Sequence, residues 1–165
     1  MIATRPETAV PLALVAVSAG ALGSAFIAQY GFGLEPCDLC IYQRIPFAVT
    51  GLLGMAALAA TRSRAVLVGL VALAAAAFLI NSGIAFYHVG VERHWWASTC
   101  SGGAEGPMTT ADLMAALQKP ARRSCDEVNW TIMGISVASW NVLFSGGLAV
   151  MAGVAARYLR RRNGF

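Results

Sequence analysis

The chain carries four cysteines, Cys37, Cys40, Cys100 and Cys125. None lies inside an apolar run. A cysteine thiolate attacks disulfides and binds soft metals, so spacing decides which chemistry is open. Cys37-Asp38-Leu39-Cys40 is a C-x-x-C. So small a ring restrains the unfolded chain little, which argues against a purely structural bridge. Such motifs hold a thiolate of lowered pKa and cycle between dithiol and disulfide. Cys100 and Cys125 lie 25 positions apart. Bridging them would stabilise the loop between them by about 3 kcal/mol in the chain-entropy model. Ser101-Gly102-Gly103 follows Cys100, so a disulfide there is expected to be exposed and open to an attacking thiolate. The even count predicts two redox pairs or two structural disulfides. A zinc site built with His88 or His94 would need a second close cysteine pair, which Cys100 and Cys125 do not form. No metal is therefore expected.

Other residues near the C-x-x-C could act on it. Cys40 is placed just before an apolar run, where free backbone N–H groups at a helix start would favour its thiolate. Pro46 suits the first turn of that helix, and Pro36 keeps the chain extended ahead of the motif. Arg44 follows Cys40 by four residues, about one helical turn. By itself it reads as an interface anchor. Beside a redox cysteine its fixed cation would also stabilise a thiolate, or charge developing on a reduced oxygen. His88, at the end of another apolar run, is a candidate proton carrier or hydrogen-bond donor.

The elements that must position these groups follow from composition. Of the 165 residues, 58% are hydrophobic and 12% charged, about half the charge of a soluble domain. That excludes a disordered chain, a coiled coil and an ordinary soluble enzyme. The net charge of +4 is too scattered for a nucleic-acid face. Four apolar runs, at about 9–30, 41–60, 65–87 and 130–156, are each near the length a helix needs to cross a bilayer. The first runs on past Ala19-Gly20-Ala21, so it reads as a span and not as a signal peptide. The expected fold is therefore an all-α membrane protein: one domain, residues 1–165, folded as a four-transmembrane-helix bundle. Arg5, Arg62, Arg64, Arg157, Arg160, Arg161 and Arg162 flank the spans on one side. The positive-inside rule puts both termini in the cytoplasm and turns loops 31–44 and 88–129 outward, with all four cysteines. Outward is where disulfides persist. Residues 109–118 read as a short surface helix capped by Thr109 or Thr110, and Trp95 and Trp96 as interface-belt residues. Ala16, Gly20 and Ser24 form a small-residue stripe expected to pack against another helix.

Pro36-Cys37-Asp38-Leu39-Cys40-Ile41-Tyr42-Gln43-Arg44-Ile45-Pro46, together with four spans and a second outer loop holding two cysteines, resembles the disulfide-bond-formation protein B (DsbB) family. Cys125-Asp126-Glu127-Val128-Asn129-Trp130, continuing to Trp140-Asn141, is similar to that family's stretch around its last cysteine. The resemblance covers nearly the whole chain. It implies an inner-membrane thiol oxidoreductase in the lipid bilayer that reoxidises a periplasmic thioredoxin-fold oxidase (DsbA-like); the sequence leaves oligomeric state open, and a monomer with a transient partner is the default expectation. Cys100 would carry the mixed disulfide and Cys125 would be its pair. The Cys37–Cys40 pair would then take the electrons, and Cys40 would pass them to a quinone, ubiquinone or menaquinone, beside Arg44 and His88. A partner poised near about −120 mV requires so oxidising an acceptor. Two positions depart from the family pattern. Asp38 stands where an apolar residue or proline is expected, and its carboxylate would raise neighbouring thiol pKa values. Asn129 replaces an expected proline. Two other readings remain: a vitamin-K-epoxide-reductase-like quinone reductase, in which the C-x-x-C is expected after the loop pair, and a tetraspan protein with structural disulfides.

Overall fold

The computed structural model describes residues 5–97, 109–110, 114, 123–128 and 130–162. Cys100 and most of the expected surface helix at 109–118 lie outside the described residues. Helix α1 (Pro6–Phe26) starts with proline in its first position, where no N–H is needed. It runs into a π-helical turn, Ile27–Gly31. Helix α2 (Asp38–Tyr42) is a single short turn, and Gln43 separates it from α3 (Arg44–Ala59). Helix α4 (Arg64–Glu92) follows a tight turn at residues 61–63. Its 29 residues span about 43 Å at 1.5 Å per residue, well beyond the roughly 30 Å hydrocarbon core. Its final turns therefore carry side chains past that core. Helix α5 (Val137–Arg161) closes the chain. Among the described residues, four helical segments are long and apolar enough to cross a membrane, and the protein is an all-α membrane protein.

Helix α4 is central. Leu67, Val71, Ala74, Phe78 and Ala85 are buried at helical spacing along it, packed between α3 and α5. The Phe47 ring meets Phe78 edge-on at 5.9 Å. Helix α1 packs on α3 and makes only slight contact with α5. Large apolar side chains such as Leu12, Leu52, Leu73, Leu79 and Met151 point outward, as lipid-facing residues must.

The face that α1 uses is not the expected stripe. Ala16, Gly20 and Ser24 are exposed, and Pro11, Leu14 and Ser18 are the buried residues. The close approach comes from glycines on the partner helix. A Cβ at Gly54 would lie 2.9 Å from Val15 and 3.2 Å from the Pro11 carbonyl, and one at Gly51 would lie 3.3 Å from Ser18. At the far end of α4 the chain folds back, with His94 at φ 58°. The Trp96 ring covers Gly90, where an added Cβ would collide with it. Its Nε1–H donates to the Tyr87 carbonyl at 3.0 Å.

The fourth span begins later than the expected Trp130. Strands β1 (Thr131–Ile132) and β2 (Ile135–Ser136) pair antiparallel. Met133 and Gly134, with φ of 55° and 78°, make the two-residue turn between them, of the kind whose twist suits a hairpin. Ser136 then caps α5 by accepting from the Ser139 N–H at 3.2 Å. The Trp140 indole N–H donates to the Ile132 carbonyl at 3.1 Å and holds the hairpin against the helix.

The glycine seam makes opposite predictions for one substitution. Gly54→Ala should destabilise the bundle by about 1–3 kcal/mol through overpacking. Gly69→Ala, where nothing lies within 4 Å of the new Cβ, should be neutral or stabilising by up to about 1 kcal/mol through helix propensity. Thermal unfolding in detergent reads both. Equal shifts would contradict the seam.

Candidate functional site

The C-x-x-C forms one turn of helix with Cys37 as its cap. Cys37 lies in extended backbone, and its Sγ accepts from the Cys40 N–H at 3.3 Å. This differs from the sequence expectation. The helix starts at Asp38, so its free N–H meets the sulfur of Cys37, while Cys40 sits inside the first turn. The Cys37 thiol also donates to Cys40 Sγ at 2.8 Å. The two sulfurs are thus a short movement from the bonded length of about 2.05 Å. Cys37 is fully buried. Its pKa is pushed up to about 12, first by this hydrogen bond to Cys40 and then by burial, with His88 opposing.

Cys125 was expected in an exposed loop. It is instead fully buried, clustered with Cys37, Leu39 and Val91, with Cys40 and Tyr87 packed around them. Three of the four sequence-predicted cysteines therefore share one cluster, which brings the second loop's cysteine to the C-x-x-C. Beside Cys125, the Ser124 hydroxyl donates to the half-buried Asp126 carboxylate and holds its pKa below the usual value.

His88 reaches the same cluster from the last turns of α4. Its Nε2 lies 3.6 Å from Cys37 Sγ and 3.9 Å from Glu92 Oε1. Its Nδ1 lies 2.9 Å from Gln43 Nε2. The imidazole is 4% exposed, so its polar atoms depend on these partners. Cys37, Cys40 and His88 also place their ligand atoms within 4.8 Å of one another, the donor set of a soft-metal site.

Arg44, the first residue of α3, is clamped from α1. Its Nη1–H donates to Gln29 Oε1 at 2.7 Å, and its guanidinium lies 5.2 Å above the Phe26 ring. The π-helical turn at the end of α1 carries Gln29. Such wide turns are frequent at functional sites because they re-aim single side chains.

Between α1 and α5, where those helices barely meet, lies a cavity of about 700 Å³. Ala25, Phe47 and Phe144 form part of its apolar wall, and Cys40, Arg44, His88 and Glu92 line it as well. Its size and mostly apolar lining suit a drug-sized apolar molecule held by a few polar groups. The sequence reading missed Gln29, Gln43, Glu92 and Asn141, all near this cluster. A signal was present: polar side chains within or beside apolar runs are costly and tend to be functional.

A family model described as "Disulfide bond formation protein DsbB" matches residues 7–155. Among curated relatives, "Disulfide bond formation protein B" of Azoarcus sp. (strain BH72) is 31% identical over 150 residues, 86% of this chain and 87% of that protein. The protein of the same name from Aromatoleum aromaticum is 30% identical over 163 residues, 93% of this chain and 92% of its own. "Disulfide bond formation protein B 2" of Pseudomonas syringae pv. syringae is 30% identical over 147 residues, 81% of this chain and 78% of its own. No solved structure matches the chain. The chain belongs to the disulfide bond formation protein B family and is a membrane protein of disulfide formation.

The raised Cys37 pKa has a measurable sign. A pKa above the ordinary thiol value means less thiolate at pH 8, so alkylation of Cys37 in the reduced protein should stay slow up to about pH 10. Cys40→Ala removes the largest cause and should bring the rise in Cys37 labelling to lower pH. Peptide-resolved mass spectrometry of initial rates reads this. An unchanged profile would refute it.

Proposed function

We propose that this member of the disulfide bond formation protein B family is an inner-membrane enzyme that reoxidises a soluble periplasmic thiol oxidase of thioredoxin fold and passes the electrons to a membrane quinone. The observation that carries the reading is the cavity: Cys40, Arg44 and His88 line one apolar chamber, with Cys37 and Cys125 buried beside it. A protein that joins water-soluble dithiols to a lipid-soluble acceptor needs this combination at the edge of a bundle.

The exchange balances at each stage. The partner's thiolate attacks Cys100 of the Cys100–Cys125 disulfide, and Cys125 leaves as a thiolate. The partner's second thiol resolves the mixed disulfide and departs oxidised, leaving Cys100 and Cys125 reduced. Cys125 then attacks Cys37 of the Cys37–Cys40 disulfide and expels Cys40 as a thiolate. The shared burial of Cys37 and Cys125 supports this choice of sulfur. Cys100 attacks Cys125 in turn and releases Cys37. Two electrons now reside on the Cys37–Cys40 dithiol. A quinone held in the cavity supplies a sink for two electrons and two protons. Re-forming the Cys37–Cys40 bond releases both. Arg44, clamped by Gln29, offers a fixed cation on the cavity wall, where negative charge would develop.

In this reading both termini are cytoplasmic, residues 31–44 and 88–129 face the periplasm, and the protein works as a monomer. Either ubiquinone or menaquinone suits an apolar chamber of this volume.

Purified protein in detergent, mixed with reduced partner oxidase and a soluble quinone, should consume quinone absorbance. Cys40→Ser and Cys100→Ser should each abolish turnover, and full activity in either variant would sink the proposal. Arg44→Leu should lower kcat/KM for quinone by about 10²-fold, the scale for loss of one preorganised charge stabiliser.

A further inference from the structure

Five polar side chains from separate parts of the bundle make one hydrogen-bonded line inside it. Asn81 on α4 donates through Nδ2 to the Ser145 hydroxyl at 2.8 Å and to Asn141 Oδ1 at 3.4 Å. Ser145 on α5 donates to Asn141 Oδ1 at 2.8 Å. Asn141 donates through Nδ2 to Gln43 Oε1 at 2.5 Å. Gln43, in the break between α2 and α3, points Nε2 at His88 Nδ1, 2.9 Å away. Every link runs the same way, from the α4–α5 seam toward the dithiol.

That direction constrains a proton. With its oxygen engaged by Asn141, Gln43 presents only N–H to His88. Nδ1 must then accept, and the single proton of a neutral imidazole sits on Nε2. Nε2 faces Cys37 Sγ at 3.6 Å and Glu92 Oε1 at 3.9 Å. We infer that Asn141 is a positioning residue which, through Gln43, holds His88 in the Nε2–H tautomer and so keeps a hydrogen-bond donor aimed at the Cys37 sulfur.

The inference rests on the electron route proposed above and names the step it serves. When Cys100 attacks Cys125, the Cys37–Cys125 bond breaks, the Cys100–Cys125 bond forms, and the electron pair goes to Cys37. A donor at Nε2 stabilises that departing thiolate, and the proton stays on the ring. The other tautomer would present a lone pair to the same sulfur and oppose its charge. Asn141 also lines the cavity, so direct contact with the acceptor is the competing role. The two differ kinetically: contact with the acceptor acts on KM for quinone, whereas positioning of His88 acts on kcat.

The test uses full-length protein carrying ¹⁵N-histidine. In the wild type, Nε2 of His88 should be protonated and Nδ1 bare. Asn141→Leu should give a mixture of tautomers and an about tenfold lower kcat, the scale of one hydrogen bond to a charged group, with quinone KM unchanged. In a His88→Phe background the same substitution should change nothing further, because both act through one group. A wild-type Nδ1–H tautomer would overturn the inference. So would an unchanged tautomer in Asn141→Leu, a loss confined to KM, or an equal loss in both backgrounds. Gln43→Leu cuts the same link and takes over if Asn141→Leu does not accumulate. Should the wild type consume no quinone, the electron route fails, while the tautomer of His88 is still read from the protein alone.

Discussion

The contact between Gln43 and His88 joins the start of the second span to the end of the third, and the arrangement of the dithiol depends on it. A carboxamide and an imidazole inside an apolar bundle have no water to turn to, so each must be satisfied by the protein. Satisfying them sets the rotation of α4 about its axis. It also sets the angle at which the α2 turn meets α3. With those two choices made, Cys37 Sγ lies against His88 and Cys40 lies on the cavity wall. The break in the helix at Gln43 is therefore an element of the site. A straight helix through that point would carry the C-x-x-C to a different azimuth.

The two cysteines of the motif consequently have different surroundings. Cys37 is buried, accepts from a backbone N–H, and meets the imidazole and the buried Cys125. Cys40 is partly accessible on the chamber that also holds Arg44. One sulfur faces the protein's second cysteine loop and the other faces the apolar space. Helical spacing alone would put them on one side, about 60° apart; they differ because Cys37 is the extended cap ahead of the helix and Cys40 lies inside its first turn.

Much of this was legible in the residues. Four apolar runs, the C-x-x-C and the position of Arg44 each follow from composition or local spacing, and the structure has four long apolar helices and places Arg44 on the same wall as Cys40. What escaped the reading depends on distance in the chain. The small-residue stripe at Ala16, Gly20 and Ser24 looked like a packing face. The seam is decided by Gly51 and Gly54 on the neighbouring helix, and no one-helix pattern reveals a partner's shape. The burial of Cys125 depends on Val91 and Leu39, far from it in sequence. The late start of α5 was readable in part, since Gly134 followed by Ser136 is a turn and a cap, but the apolar residues around them hid it. Gln43 and Asn141 stood only as members of the two family-like strings, with no role of their own. Their meaning appears only when residues 98 positions apart meet.

Helix α1 is held mainly along one side, by α3, and its opposite flank borders the chamber. A wall fastened along one edge behaves as a leaf rather than as a pillar. If the electron acceptor is the membrane quinone proposed above, its way in would run sideways, in the plane of the bilayer, between α1 and α5. Traffic through such an opening would be governed by the viscosity and chain order of the surrounding lipid. The exchange of disulfides on the watery side has no such dependence. The two halves of the enzyme would thus answer to different solvents, one to the fluidity of the membrane and the other to the composition of the water outside it.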